Sequence, residues 1–423
     1  LQIDKTGRPD YGIDTMTKIA FKTIGCRLNQ AEIQDLQAEF AQAGFEVVSP
    51  KEVSDFFVIN TCSVTQVADR KSRQALREFK HRNPNSQIVV LGCGAEVQKH
   101  LPEVDLAIFN EEKERAFSII NSKLKIQSQK SKRNLKSRIE TRRTRVLVKI
   151  QEGCAEGCTY CVVPKLRGKP LSIATSKIIE KVKKIENRGA EEIILTGVHI
   201  GQYRDGQVEL PGLIKKILEN TANLRVRLSS VEPQHFSKEI LEIMAQERIC
   251  PFLHLPIQSG SDSVLQAMGR NYRMQEITKL IGETRNKLPG IFLSTDIIVG
   301  FPGENEVDFG QTYDFCKQVA FAKIHVFRYS KREGTKAVAL PGQIDPSVAI
   351  ERSRKLRFLS EQLNFAFRSR LRGRDLKILM TKSDQGVSAE GILIKIPETK
   401  PVNSVQEVRI NDVTPDTTLG KII

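Results

Sequence analysis

The segment Gly153-Cys154-Ala155-Glu156-Gly157-Cys158-Thr159-Tyr160-Cys161 places three thiols at i, i+4 and i+7. So tight a set cannot form a framework of disulfides without leaving one thiol over. It can wrap three thiolates around one four-iron cluster. Such clusters ordinarily take four cysteines, so three ligands leave one iron free to bind a small molecule. A chance cluster of buried thiols is the weaker reading at this spacing.

Cys26, Cys62 and Cys93 are far apart in the chain, yet each closes a strand-like run: Thr23-Ile24-Gly25-Cys26, Ile59-Asn60-Thr61-Cys62 and Leu91-Gly92-Cys93. In a parallel sheet the carboxyl ends of neighbouring strands share one edge, so these three can converge. A cysteine is also an ordinary small apolar residue, and position alone leaves metal binding and burial both open. If they bind metal, three ligands again imply an open iron. Cys250 precedes Pro251 and Cys316 falls inside a helical pattern; both read as buried structural residues. His199, His254 and His325 lack metal-ligand spacing and read as core or supporting groups.

Two alternations of apolar runs and helix-length segments must position these residues. Strand-like runs at 19–23, 56–60 and 88–92 alternate with helical patterns at 31–43, 67–81 and 95–100. Such spacing predicts parallel strands with crossover helices. A second alternation has runs at 146–151, 192–196, 225–229, 252–255, 292–299 and 323–327. Six strands with intervening helices predict a curved parallel sheet or partial barrel, with its active site at the carboxyl ends of the strands. The Cys154 loop follows the first of them. Leu356, Leu359, Leu363 and Phe367 then recur at helical spacing, as core positions do. Four short runs, 376–380, 391–396, 405–410 and 418–422, predict a small antiparallel barrel. The expected fold class is therefore α/β: a parallel-sheet domain over 16–120, a linker over 121–145, a partial (β/α)6 barrel over 146–370 and a small β-barrel over 371–423. Met16 is the expected natural start.

With 423 residues, 39% apolar and 27% charged, the chain reads as a multidomain globular protein rather than a disordered one. Neither a signal-peptide pattern nor an 18-residue apolar run occurs, so a soluble, cytoplasmic protein with no membrane partner is expected. Reduced thiols in that compartment favour metal or catalysis over disulfides. The formal charge is +16, and residues 121–145 hold ten Lys or Arg against one acid, Glu140. That density favours a polyanion, nucleic acid first. Arg142, Arg143 and Arg145 are the candidate RNA contacts, with a solvated tether as the alternative.

From about Met16 to the C-terminus, these motifs resemble the methylthiotransferases of the radical S-adenosylmethionine (SAM) superfamily. The C-x3-C-x2-C loop, with Tyr160 before its last cysteine, is similar to the superfamily signature. Gly25-Cys26-Arg27-Leu28-Asn29-Gln30, Asn60-Thr61-Cys62-Ser63-Val64-Thr65 and Lys71-Ser72-Arg73-Gln74 resemble the branch acting on N6-threonylcarbamoyladenosine (t6A) in tRNA. So do Lys149-Ile150-Gln151-Glu152-Gly153-Cys154 and Leu195-Thr196-Gly197-Val198-His199. Pro256-Ile257-Gln258-Ser259-Gly260-Ser261 and the run 296–304 are similar to segments of the wider family.

The resemblance implies a four-iron cluster on Cys154, Cys158 and Cys161, with SAM on its open iron. It implies an auxiliary four-iron cluster on Cys26, Cys62 and Cys93 that delivers sulfur. Together they would replace the C2 hydrogen of t6A beside the anticodon with a methylthio group. Thr196, Gly197, Ser229, Gln258, Gly300 and Glu304 become SAM contacts by position. The implied partners are tRNA bearing t6A and a flavodoxin- or ferredoxin-type reductant, and the last domain is of the RNA-binding TRAM type. The chain departs from the pattern at Gly94, where relatives carry a larger side chain, and in its short terminal domain. Methylthiolation of isopentenylated adenosine in tRNA, or of a ribosomal-protein aspartate, shares the chemistry. Arg27-Leu28-Asn29 and the basic segment favour t6A. A non-catalytic iron–sulfur RNA-binding protein would need no open iron, and two three-cysteine sets argue against it.

Overall fold

A computed structural model describes residues 16–123 and 144–423. Arg142 and Arg143 lie outside the described residues. Contacts divide the chain into two compact units, one ending at Glu140 and one beginning at Thr141.

The strands of the first unit are β1 (Lys18–Thr23), β2 (Glu46–Val48), β3 (Phe56–Thr61), β4 (Gln87–Gly92) and β5 (Leu106–Ile108). They pair in parallel in the order β2-β1-β3-β4-β5. Helices α1 (Arg27–Gln42), α2 (Gln66–Arg82), α3 (Ala95–Gln98) and α4 (Ala116–Lys123) connect or flank them. β3 reads Phe-Phe-Val-Ile-Asn-Thr and is buried throughout, as a central strand covered on both faces must be. Phe21, Phe40 and Phe45 fill one face, and Phe57 stacks on Phe79 of α2 at 3.7 Å on the other. The edge strands β2 and β5 escape the sequence pattern because three residues are too few to show a period. Helix α1 starts earlier than its apolar pattern predicts, since the extended Cys26 is itself the residue before its first turn.

The second unit contains β6 (Arg145–Glu152), β7 (Leu171–Ser172), β8 (Glu192–Gly197), a hairpin of β9 (Arg204–Asp205) and β10 (Val208–Glu209), β11 (Arg225–Leu228), β12 (Phe252–His254), β13 (Phe292–Val299) and β14 (Lys323–Arg328). Its helices are α5 (Val163–Arg167), α6 (Thr175–Asn187), α7 (Leu210–Glu219), α8 (Lys238–Met244), α9 (Asp262–Ala267), α10 (Met274–Lys287), α11 (Glu306–Val319) and α12 (Pro346–Ser369). Parallel ladders join β11-β8-β6 and β12-β13-β14. Between β11 and β12 the sheet continues through single bridges, Val226↔Ile249 and Ser230↔His254. All six expected strands are present around one apolar core, against which α12 buries Leu356 and Leu359.

The starts of these strands form a charged floor. The Glu192 side chain is fully buried, and Arg227 donates to both its oxygens at 2.8 and 3.2 Å. Arg145 and Arg225 add bonds at 2.9 and 3.1 Å. Burial alone would raise the Glu192 pKa; the guanidiniums overcome it and bring it down to about 2. Arg145, the one candidate RNA contact among the described residues, opens β6, and its guanidinium, a quarter exposed, pairs with Glu192.

Beneath that floor, β15 (Asp375–Lys382), β16 (Gln385–Ser388), β17 (Leu393–Lys395), β18 (Val405–Val413) and β19 (Thr418–Ile422) close into a barrel. The expected antiparallel pairing holds except at closure, where β17 and β19 pair in parallel at Lys395↔Leu419. The sequence pattern does not show β16, because Asp384 and Gly386 read as a turn. Phe252 and Phe292, which open β12 and β13, enter the barrel core beside Ile378, Ile394 and Ile410. Arg227 also donates to the Ser388 carbonyl at 3.2 Å, so the floor serves both layers. No helix among the described residues is long and apolar enough to cross a membrane.

Candidate metal centres

The Cys154–Cys161 loop leaves β6 at the carboxyl edge of the half-barrel, as expected. Gly153 turns it at φ +70°, and a side chain there would collide with the Lys169 carbonyl. The buried Gln151 side chain donates to the Glu152 and Gly153 carbonyls at 2.8 Å and accepts from the His199 amide at 2.9 Å. That ties the ends of β6 and β8 together. Across the loop, Cys154 N donates to Gly168 O at 3.1 Å and Thr159 N to Met268 O at 2.9 Å. Arg270 donates to the Tyr160 hydroxyl at 2.6 Å, and the Tyr160 ring meets Phe301 edge-on at 6.3 Å. The turn after β13 is thereby brought against the loop.

Burial pushes the Cys154 thiol up to about 12 and Cys161 up to about 11, and raises Cys158 as well. The neighbouring thiols and the Glu232 carboxyl add to that effect on Cys154 and Cys161. A metal ion binds the thiolate forms, so loading the site would release these protons. Three half-buried thiols on one loop at the carboxyl edge fit the four-iron cluster and SAM that the radical SAM family implies. Glu232, nearly enclosed, is raised to about 7 by burial, with Arg270 opposing.

Of the expected SAM contacts, Thr196, Gly197 and Ser229 stand at the ends of β8 and β11, and the buried Ser229 hydroxyl has no hydrogen-bond partner. Gln258 sits at φ 71° and bridges to Ile297 of β13. Glu304 behaves differently. Its carboxylate accepts from the Gly300 amide at 2.5 Å and from Arg352 at 2.7 Å, at 1% exposure, so it closes its own turn. Cys250 and Cys316 are buried as expected.

Sequence spacing missed one constellation. Glu156 from the cysteine loop, His199 after β8 and His235 after β11 bring three ligand atoms within 4.8 Å of one another. Burial first, then His235, lowers the His199 pKa to about 4. The imidazole is therefore neutral at ordinary pH. Three loops supply the three groups, so no local spacing could have revealed them. His254 and His325 also meet, with ring centroids 5.5 Å apart and His254 Nε2 3.2 Å from Asp296 Oδ1.

In the first unit, Cys62 and Cys93 follow Thr61 and Gly92, which are paired in register, so the two residues lie side by side. Gly25 (φ +132°) packs so near Cys62 that an added Cβ would sit 2.7 Å from the Cys62 Cβ, which places Cys26 on the same edge. Cys26 Sγ donates to Asn29 Oδ1 at 3.1 Å. Asn29 Nδ2 donates to Asn60 Oδ1 at 2.9 Å and Thr61 O at 3.0 Å. Asn60 Nδ2 donates in turn to Glu32 Oε2 at 2.7 Å, which also pairs with Lys113 at 2.7 Å. The Asn29 and Asn60 of the resembling motifs are thus the struts of this edge. Gly94 has no room for a side chain as the edge stands: a Cβ there would lie 2.7 Å from Thr61 Oγ1.

Both units of the chain resemble known proteins. Residues 148–316 match the radical SAM superfamily and residues 18–115 match uncharacterized protein family UPF0004. A threonylcarbamoyladenosine tRNA methylthiotransferase from Aquifex aeolicus is 36% identical, over 93% of this chain and 100% of that one. A tRNA-2-methylthio-N(6)-dimethylallyladenosine synthase from Endomicrobium trichonymphae is 33% identical, over 93% of this chain and 98% of that one. The radical SAM methyltransferase TsrM from Kitasatospora setae shares the fold, with a TM-score of 0.54 at 11% identity over 73% of this chain and 72% of that one. The chain belongs to the methylthiotransferase family of radical SAM enzymes, transferases of sulfur-containing groups.

Proposed function

We propose that the protein converts t6A beside the anticodon of tRNA to 2-methylthio-t6A. The observation that carries this reading is the 36% identity to the Aquifex aeolicus t6A enzyme across that enzyme's whole length. In this reading Cys154, Cys158 and Cys161 hold the radical SAM cluster, and Cys26, Cys62 and Cys93 hold a second four-iron cluster. Thr196, Gly197, Ser229, Gln258 and Gly300 face SAM. The division into 16–120, 121–145, 146–370 and 371–423 assigns auxiliary cluster, basic linker, radical chemistry and RNA binding in turn. A tRNA bearing t6A and a flavodoxin- or ferredoxin-type reductant are the partners, in the cytoplasm.

When bound, the cluster and SAM supply an organic radical able to attack an unreactive C–H bond. The chain's own residues orient and enclose. Gln151 fixes the loop base, Arg270 and Tyr160 brace its far end, and the buried Ser229 hydroxyl offers an unused hydrogen bond. Substrate choice is a matter of polarity. The threonylcarbamoyl group carries a carboxylate, and a site built for it rejects an apolar isopentenyl chain because buried donors would be left unpaired. Nucleoside analysis of tRNA from cells lacking the gene tests the proposal. Loss of 2-methylthio-t6A, accumulation of t6A and an unchanged isopentenyl series are expected. Loss from the isopentenyl series instead would overturn the substrate while leaving the radical chemistry in place.

A further inference from the structure

Glu156, His199 and His235 have a use beyond bracing the cysteine loop. Glu156 Oε1 lies 3.3 Å from His235 Nε2 and 3.6 Å from His199 Nε2. An ion held tetrahedrally at 2.0–2.1 Å keeps its ligand atoms roughly 3.3 Å apart, so these two edges already have close to the spacing of a metal site. Ordinary hydrogen bonding is the plainer explanation, and it accounts for His235, whose Nε2 bonds to Glu156. It does not account for His199. That ring is 2% exposed; its Nδ1 lies 3.0 Å from Glu232 Oε2, while its Nε2, 3.6 Å from Glu156, makes no hydrogen bond. A buried polar group left so costs about 1–3 kcal/mol.

The surroundings complete the pattern. His199 Nδ1 faces Glu232 Oε2 at 3.0 Å, the carboxylate-behind-histidine arrangement that orients metal-ligating imidazoles. Gln202 donates to Glu156 Oε1 at 3.0 Å. A carboxylate oxygen has two lone pairs, so that bond and a metal bond are compatible. The two imidazole rings stand perpendicular with centroids 4.8 Å apart, close enough for their nitrogens to converge without stacking.

We propose that Glu156, His199 and His235 form a binding site for one divalent zinc ion, distinct from the iron assigned to the cysteines. Two imidazoles and one carboxylate are a zinc donor set, and three protein ligands leave a position for water or an anionic substrate oxygen. Glu156 lies between Cys154 and Cys158, so the ion pins that loop to the ends of β8 and β11. The site stands independently of the substrate reading.

The test uses the full chain with its clusters loaded, given zinc chloride and then passed through a weak chelator. Metal analysis should find about one zinc per chain, and zinc K-edge absorption should show nitrogen and oxygen neighbours only. H235A, at a half-buried position, should weaken zinc retention by about 100-fold or more, and E232Q by about 10–100-fold. Sulfur around the zinc would mean that cysteines had captured it. Zinc retained equally by H235A, or no zinc on the unsubstituted chain, would likewise overturn the proposal. The absorption measurement needs no variant and stands if H235A fails to fold.

Discussion

The two cysteine sets place their thiols in opposite ways. Cys154, Cys158 and Cys161 share one loop, so short stretches of chain fix their spacing. The fold has only to hold that loop, through Gly168, Met268 and Tyr160. Cys26, Cys62 and Cys93 come from the ends of three strands. Their spacing exists only while β1, β3 and β4 are in register and Asn29 and Asn60 stay bonded across the edge. A loop site is a local property of the chain, whereas a strand-end site is a property of the folded sheet. The first should withstand damage elsewhere, and the second should fail with its scaffold.

The largest expected effects separate the sites outright. Loaded without oxygen, the chain should hold about eight irons, from two four-iron clusters. C154A/C158A/C161A should remove half of that iron and abolish SAM cleavage. C26A/C62A/C93A should remove the other half and leave cleavage measurable. A full iron complement in the second variant would end the comparison.

A smaller effect asks whether the units fail independently. Glu192→Gln leaves Arg227 charged and buried with no anion, which should destabilise the second unit by about 3–5 kcal/mol in denaturant melts. Iron in the first unit should be unchanged. The same group sets an acid limit. Its folded pKa, about 2, is depressed from the usual 4.5. The stabilisation is therefore fully present above about pH 4.5 and is lost as pH falls toward 2. The E192Q variant should show a flatter acid profile over that range.

Replacing Asn60 with Leu tests the scaffold of the strand-end site directly. It removes two hydrogen bonds to Asn29, at its side chain and its carbonyl, and one to Glu32, and should cost about 2–3 kcal/mol. The first unit's iron should fall while SAM cleavage persists. If cleavage fell in step with that iron, the two sites would not be separable in this way. Gly94→Ala is the mildest probe. Its Cβ meets Thr61 Oγ1 at 2.7 Å and Gln98 Nε2 at 2.9 Å. The resulting overpacking should cost about 1 kcal/mol, read as a small fall in melting temperature with iron retained.

What the sequence determined by itself was whatever repeats or lies close along the chain. The cysteine loop was legible because its ligands are within eight residues of one another. The six half-barrel strands were legible because buried parallel strands are near-continuous apolar runs, and each strand-end cysteine could be placed on an edge by parallel topology alone. Tertiary structure decided everything that depends on which loops meet. It took Arg145 from a basic segment to the Glu192 floor and turned Glu304 inward to Arg352. It closed the terminal barrel through one parallel pair, and it gathered Glu156, His199 and His235 from three separate loops. The physical reason is common to all four. Periodicity reports whether a side chain is buried, but which strand, charge or imidazole it meets is chosen by through-space distance, which a linear sequence does not carry.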